Sequence, residues 1–167
     1  MRKSKTQISW DDRRIDLIHF IPASVGYEIS PYSNVCSVIA VSFALNISFD
    51  DAYERMMFEG YEQHMLLNTI PVISAVLGTK HISCQKSKWF NTLDFITSGP
   101  PSQHPESSYL IHVPQHIFYY ARNTIYDGQI RTRKNRSSYY VFDNRENRIR
   151  YLQREVIGYY EINIANN

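Results

Sequence analysis

Asn34-Val35-Cys36-Ser37-Val38-Ile39-Ala40-Val41-Ser42-Phe43-Ala44-Leu45 is the stretch from which the rest of the chain is read. Asn34 is a good N-cap residue, and the eleven residues after it are almost all apolar or small. A helix apolar on every side belongs in the interior. Its small residues Ser37, Ala40, Ser42 and Ala44 let neighbours approach from several directions. Outward from it, Ser48-Phe49-Asp50-Asp51 resembles a capping box with acid in the first turn. It predicts a helix over Asp50–Phe58 that stops at Gly60. A third helix is expected over Leu66–Leu77, stopped by Gly78. Trp89–Thr97 reads as a short amphipathic helix, and Lys80–Gln85 as a short strand.

The pattern changes after the loop Ser98–Ser108, which is dense in Gly, Pro and Ser. Tyr109–Tyr120, Thr124–Tyr126, Ser138–Phe142, Ile149–Leu152 and Ile157–Ile164 are rich in β-formers separated by polar turns. Ile15–Ile21 alternates weakly and is a further strand candidate. Helices at about 34–97 followed by an antiparallel sheet at about 109–164 predict an α+β fold, a single domain over residues 1–167.

Length and composition agree. The 167 residues are 43% hydrophobic and 20% charged, ordinary for a globular domain. No apolar run is long enough to span a membrane, and no apolar segment follows the basic Met1–Lys5 as a secretory signal requires. Two cysteines, Cys36 and Cys84, cannot make a disulfide scaffold, so free thiols and a cytoplasmic setting are expected. The net charge of +2 hides an asymmetry. Residues 129–154 carry eight Arg or Lys against two acids, a local +6 that leaves −4 elsewhere. A uniformly basic nucleic-acid binder is excluded; a localised anion-binding strip is not.

Cys36 falls in the first turn of the predicted helix. Unpaired N–H groups and the positive end of the helix dipole there favour a thiolate, and a lowered thiol pKa makes a nucleophile. Cysteine is also a small core hydrophobe, which would suffice to place it in an apolar helix. A nucleophile needs a base. His104 lies in the loop and His64 on a turn. His112 and His116 lie four apart in the first long predicted strand and share a face if no bulge intervenes, although Pro114 between them argues for an edge or a bulge. If Arg122-Asn123 is a two-residue turn, Ala121 pairs with Thr124. His116 and Asp127 then become diagonal neighbours on one face. A slip of one residue would put Asp127 on the other face. In that register Asp127 orients the His116 imidazole and stabilises its charged form. Separately, His116 reads as a half-buried strand histidine and Asp127 as the turn residue of Asp127-Gly128.

Asn34-Val35-Cys36 opening an apolar helix, followed by Ser48-Phe49-Asp50-Asp51-Ala52-Tyr53, resembles the start of papain-like cysteine peptidase domains of small phage and bacterial proteins. The stretch Tyr109 to Gly128 is similar to that family's second signature, a His-bearing strand, a turn and an Asp-bearing element. The resemblance covers roughly residues 30–128 in order and spacing. It implies a papain-like fold with Cys36 as nucleophile, His116 as general base and acid, and Asp127 as orienter. It implies hydrolysis of a peptide or isopeptide bond in a protein or peptide substrate, and a viral or bacterial effector, acting in the host cytoplasm if viral. Three positions depart from the family pattern: Val35 where Asp is usual, no Gln between Gln7 and Cys36, and Gln115 where Gly is usual. Asn34 is then the nearest side-chain amide for an oxyanion hole, beside the Cys36 N–H.

The basic strip lies beyond the resemblance. Arg131, Arg133, Arg136 and Arg148, interleaved with Tyr139, Tyr140, Phe142 and Tyr151, together with Gln115 nearer the cleft, are candidate contacts for substrate or partner. Arg with aromatics suits a nucleotide or phosphate, or an acidic protein. The same pattern is that of a solvated hairpin with a charged outer face. On that strip rests the alternative of a non-catalytic papain-fold binding module that sequesters a host protein or nucleotide signal. No spacing of Cys or His suggests a metal site, and no cofactor is expected.

Overall fold

A computed structural model describes residues 7–22, 35–61, 69–84, 90–128, 130–131, 140–141 and 144–162. The protein is mixed α+β. A short 3-10 helix, Arg13–Leu17, leads into β1 (His19–Pro22). Then come α1 (Cys36–Leu45), α2 (Phe49–Phe58), α3 (Thr69–Leu77), β2 (Ile82–Ser83), α4 (Thr92–Ser98) and α5 (Pro100–Gln103). The second half holds β3 (Ser108–Val113), β4 (His116–Ala121), β5 (Thr124–Asp127), β6 (Ile130–Arg131), β7 (Tyr140–Val141), α6 (Arg145–Leu152) and β8 (Gly158–Ile162).

Six strands form one sheet in the order β1-β5-β4-β3-β8-β2. The sheet is mixed, not antiparallel throughout: β1 runs parallel to β5, with Phe20 opposite Ile125, while the other pairs are antiparallel. A second, two-stranded parallel pair joins β6 and β7. Because strand side chains alternate, the sheet has two apolar faces. Leu110, Ile117 and Tyr160 pack against Val38, Val41, Met56 and Ile73 of α1, α2 and α3. Tyr109, Ile111, Phe118 and Ile125 pack on the opposite side against Leu93 and Phe95 of α4, Tyr151 and Leu152 of α6, and Ile15.

α1 is the internal helix its composition predicts. Every residue from Ser37 to Ser42 is buried, and the Ser42 hydroxyl donates to the Ile39 carbonyl at 2.6 Å instead of seeking water. The helix ends on Asn46 in the left-handed conformation, φ 52°. At its start the cap position is Val35, which supplies no side-chain cap. Asn34 lies outside the described residues. Ser48 caps α2, its hydroxyl accepting from the Asp51 N–H. α3 begins at Thr69 within the described residues, and α4 is capped by Asn91, which accepts from the Asp94 N–H at 2.7 Å. Part of the expected loop at 98–108 is the short helix α5, with Pro100 in its first turn, where proline's missing N–H costs nothing.

Two expectations are overturned in the second half. Tyr109–Tyr120 is not one long strand. It folds back at Pro114-Gln115 into the β3–β4 hairpin, with Val113 opposite His116. Proline at the first corner and a left-handed residue at the second (Gln115, φ 62°) suit a tight turn. His112 therefore pairs with Ile117, not on the same face as His116. Ile149–Leu152 is not a strand but the last turn of α6. Asn144 caps that helix by accepting from the Asn147 N–H, and Arg150 pairs with Glu146 one turn back at 2.8 Å. The alternation Arg148-Ile149-Arg150-Tyr151 imitates a strand over four residues, but the cap and the spacing of buried Ile149 and Leu152 are helical.

At β8, Gly158 leaves room for the His81 ring: a Cβ there would run into His81 Cε1 and Nε2. That ring in turn bonds His112 (His81 Nε2 to His112 Nδ1, 3.1 Å) and stands edge-on to Tyr160. Gly158→Ala is expected to destabilise the protein by about 1–3 kcal/mol through this overpacking, read as a lower denaturation midpoint. An unchanged midpoint would contradict the tight seat. In the β4–β5 turn, Arg122 (φ 49°) and Asn123 (φ 59°) are both left-handed, as a two-residue hairpin turn requires. Arginine is strained there and glycine is not, so Arg122→Gly is expected to raise stability by up to about 1 kcal/mol in urea titrations.

Candidate active site

The β4–β5 hairpin sets the first half of the site. With Arg122 and Asn123 at the turn, Ala121 pairs with Thr124, Tyr120 with Ile125 and Tyr119 with Tyr126. This register brings His116, at the start of β4, to Asp127, at the end of β5. His116 Nε2 lies 2.7 Å from Asp127 Oδ2, and both side chains are about 1% exposed. In the same face His116 stacks on Phe118, with ring centroids 6.1 Å apart.

α1 supplies the second half. Its first residue is Cys36, half-buried, and its first intrahelical N–H bond is that of Ile39 to the Val35 carbonyl at 3.0 Å. The N–H groups of Cys36, Ser37 and Val38 thus precede the helical ladder, at the positive end of the dipole. The Cys36 thiol lies within interaction range of the His116 ring and of the Ile117 backbone N–H. His116 Nε2 is taken by Asp127, so Nδ1 is the nitrogen left for the thiol. Nδ1 is sealed from solvent and makes no hydrogen bond of good geometry. The sulfur contact is therefore looser than the carboxylate contact, as resting catalytic contacts often are.

The electrostatics follow from this packing. Burial works against a charged His116, but the Asp127 carboxylate and its hydrogen bond, with the Cys36 thiol, outweigh it and push the imidazole up to about 9. Burial works against a charged Cys36 as well. His116, by hydrogen bond and by charge, together with the Ile117 N–H, outweighs it and brings the thiol below its ordinary value. The two shifts favour the same state, a thiolate beside an imidazolium. Cys84 is the internal contrast: burial raises its thiol.

Two neighbours went unread in the sequence. Tyr151, fully buried on α6, donates its hydroxyl to the same Asp127 Oδ2 at 2.6 Å. The Tyr61 hydroxyl meets Ser37 and lies near the Cys36 thiol; burial raises its pKa. Neither has a local signal, since each reaches the site across the fold. His112 belongs to the other face of the sheet. Burial, with His81 and His116 nearby, lowers it to about 4, which keeps it neutral near pH 7.

The remaining candidates are placed as follows. Gln115 is exposed at the β3–β4 turn, next to His116 in sequence. Arg131 is in β6, its side chain outside what is described, and Arg133 and Arg136 lie outside the described residues with Asn34. Arg148 is on α6, its guanidinium 5.8 Å from the centroid of the Phe20 ring. Arg145 donates to Asp16 and to the Trp10 and Asp12 carbonyls, tying α6 to the 3-10 helix. The described part of the basic strip is thus the helix α6 with the short parallel pair β6–β7, not a hairpin, and Arg145 and Arg148 have partners within the chain.

Among the described residues no helix is long and apolar enough to cross a membrane. The arrangement can generate a thiolate, hold a proton beside it and present backbone N–H groups to a developing oxyanion. Compared with family models, with curated proteins and with solved structures, the chain matches none.

Proposed function

We propose that this protein is a cysteine hydrolase, papain-like in fold and in the order of its site residues, that cleaves a peptide or isopeptide bond. One observation carries the reading: a buried imidazole, bonded to Asp127 through Nε2 and with Nδ1 left unbonded, lies within interaction range of a cysteine at the first position of a helix. Burying an imidazole and a carboxylate without using them is costly.

In the proposed reaction the Cys36 thiolate attacks the substrate carbonyl, forming a C–S bond and a tetrahedral oxyanion. The Cys36 N–H and the amides that follow it in α1 hold that oxyanion. The His116 imidazolium gives its Nδ1 proton to the leaving amine as the C–N bond breaks, leaving a thioester and a neutral imidazole. Nδ1 then takes a proton from water, and the hydroxide attacks the thioester. The acid is released, and the thiolate–imidazolium pair is restored. Asp127 keeps the other proton on Nε2 throughout, so that the lone pair of the neutral ring points at the reacting atoms.

The reading is tested by incubating the protein with a digest-derived peptide mixture and identifying new termini by mass spectrometry. Cleavage that disappears in Cys36→Ala is expected. No new termini with the wild-type chain, across a mixture covering all residue types, would overturn it. For the binding-module alternative, Arg148 packs over the Phe20 ring, and the side chains of Arg131, Arg133 and Arg136 lie outside the described residues.

A further inference from the structure

Asp127 Oδ2 accepts two hydrogen bonds, from His116 Nε2 at 2.7 Å and from the Tyr151 hydroxyl at 2.6 Å. Tyr151 is 0% exposed. Its ring packs edge-on to Phe20 and tilted against Phe118, centroids 5.7 and 5.2 Å away, and Phe118 in turn stacks on His116. A phenylalanine would make the same ring contacts. The hydroxyl adds a buried polar group that is tolerable only because it has a partner. That partner is the carboxylate on which the imidazole depends. An O–H···O contact of this length to a carboxylate is charge-assisted and directional.

We propose that Tyr151 is a positioning residue that, through its hydroxyl, fixes the Asp127 carboxylate in the orientation that holds His116 against Cys36. The proposal rests on the hydrolase reading and deepens it, since it assigns to α6, outside the stretch that resembles a peptidase, a part in the same site. Tyr151 touches neither substrate nor the reacting atoms; it acts through Asp127. The hydroxyl also takes a share of the carboxylate's negative charge. Without it more of that charge acts on the His116 imidazolium, which then keeps its proton to higher pH. Two consequences separate this role from simple packing. Loss of the hydroxyl slows the reaction while the ring contacts remain, and it moves the alkaline limb of the pH profile upward.

The test is Tyr151→Phe in the full chain, with two readouts. The first is the rate of Cys36 alkylation and of peptide cleavage against pH. The second is the NMR titration of the His116 ring, which needs no substrate. Cleavage is expected to fall about tenfold in kcat/KM. The His116 titration is expected to move up by roughly half a pH unit to one unit. In the Asp127→Asn background the same substitution should change neither readout further, because the two residues act as one unit. Site-specific 3-fluorotyrosine at 151, a stronger donor that preserves the fold should Tyr151→Phe not fold, is expected to move the titration down. A His116 titration that stays in place, or moves the opposite way, in either variant overturns the proposal. If wild-type Cys36 proves no more reactive than Cys84, the hydrolase reading fails, and the NMR titration still decides whether Tyr151 acts on His116.

Discussion

Iodoacetamide is expected to modify Cys36 at least about tenfold faster than Cys84 at pH 7, as measured by peptide mapping over a time course. Both thiols are half-buried, so access alone does not separate them. Charge does. The Cys36 thiol is brought down by the His116 ring and the Ile117 N–H against the opposing effect of burial. The Cys84 thiol is pushed up by burial. The thiolate is the reacting form, so the ratio follows the difference in thiolate fraction. The ratio should widen as pH falls from 9 toward neutrality, because Cys84 protonates first. It should level off in acid, where the Cys36 thiolate also takes a proton and the two thiolate fractions fall together. In His116→Ala the contrast should shrink sharply, since only the Ile117 N–H is then left to offset the burial of Cys36. Equal rates in the wild-type chain would contradict the ion pair.

Replacing Asp127 is expected to have the larger effect on the fold. Asp127→Ala takes from the His116 Nε2 and the Tyr151 hydroxyl the carboxylate they share in a sealed interior. Removing one partner of such a buried set costs about 3–5 kcal/mol, and denaturant titrations should register it. The imidazole would then have only the Cys36 thiol to set against burial and its pKa would fall, so the thiolate would lose much of its counter-ion. Asp127→Asn keeps the shape and should cost less stability, but it removes the charge and permits the wrong tautomer. Cleavage is expected to drop about 10²–10⁴-fold. The pH dependence of stability carries a matching sign. His116 has its pKa raised in the folded state from 6.5 to about 9. Its stabilising contribution is therefore complete below about pH 6.5 and is lost as pH rises through about 9. In the Cys36→Ala background, where no thiol titrates against the imidazole, the thermal midpoints with Asp127 and with Asp127→Asn should converge over that interval. A gap that stays constant would show that His116 is neutral in the folded protein.

The legible part of the site was the part with a local code. Arg122-Asn123 between two runs of β-formers sets a two-residue turn, and the turn sets the register that joins His116 to Asp127. The apolar sequence 35–45 marks an internal helix, and Cys36 sits at its start for the same reason. What lay hidden was non-local or ambiguous over a few residues. The parallel pairing of β1 with β5 joins residues about a hundred apart and leaves no mark in either strand. The Pro114-Gln115 turn lies among β-formers on both sides, so its two strands read as one. α6 alternates over the four residues that matter and reveals itself only through the Asn144 cap. Tyr151 stands in the sequence among the arginines of the basic strip, yet folding turns it inward to the carboxylate of the site.

The central claim is that Cys36, His116 and Asp127 act together on an acyl group. Acid-quenched intact-mass spectrometry after mixing the protein with excess p-nitrophenyl acetate tests it most directly. The account predicts one acetyl group, mapped to Cys36, that forms within the first turnover, is cleared by water and is not formed by His116→Ala. Acetylation that is absent from Cys36, or that proceeds at Cys36 and Cys84 alike and is indifferent to His116, would contradict it.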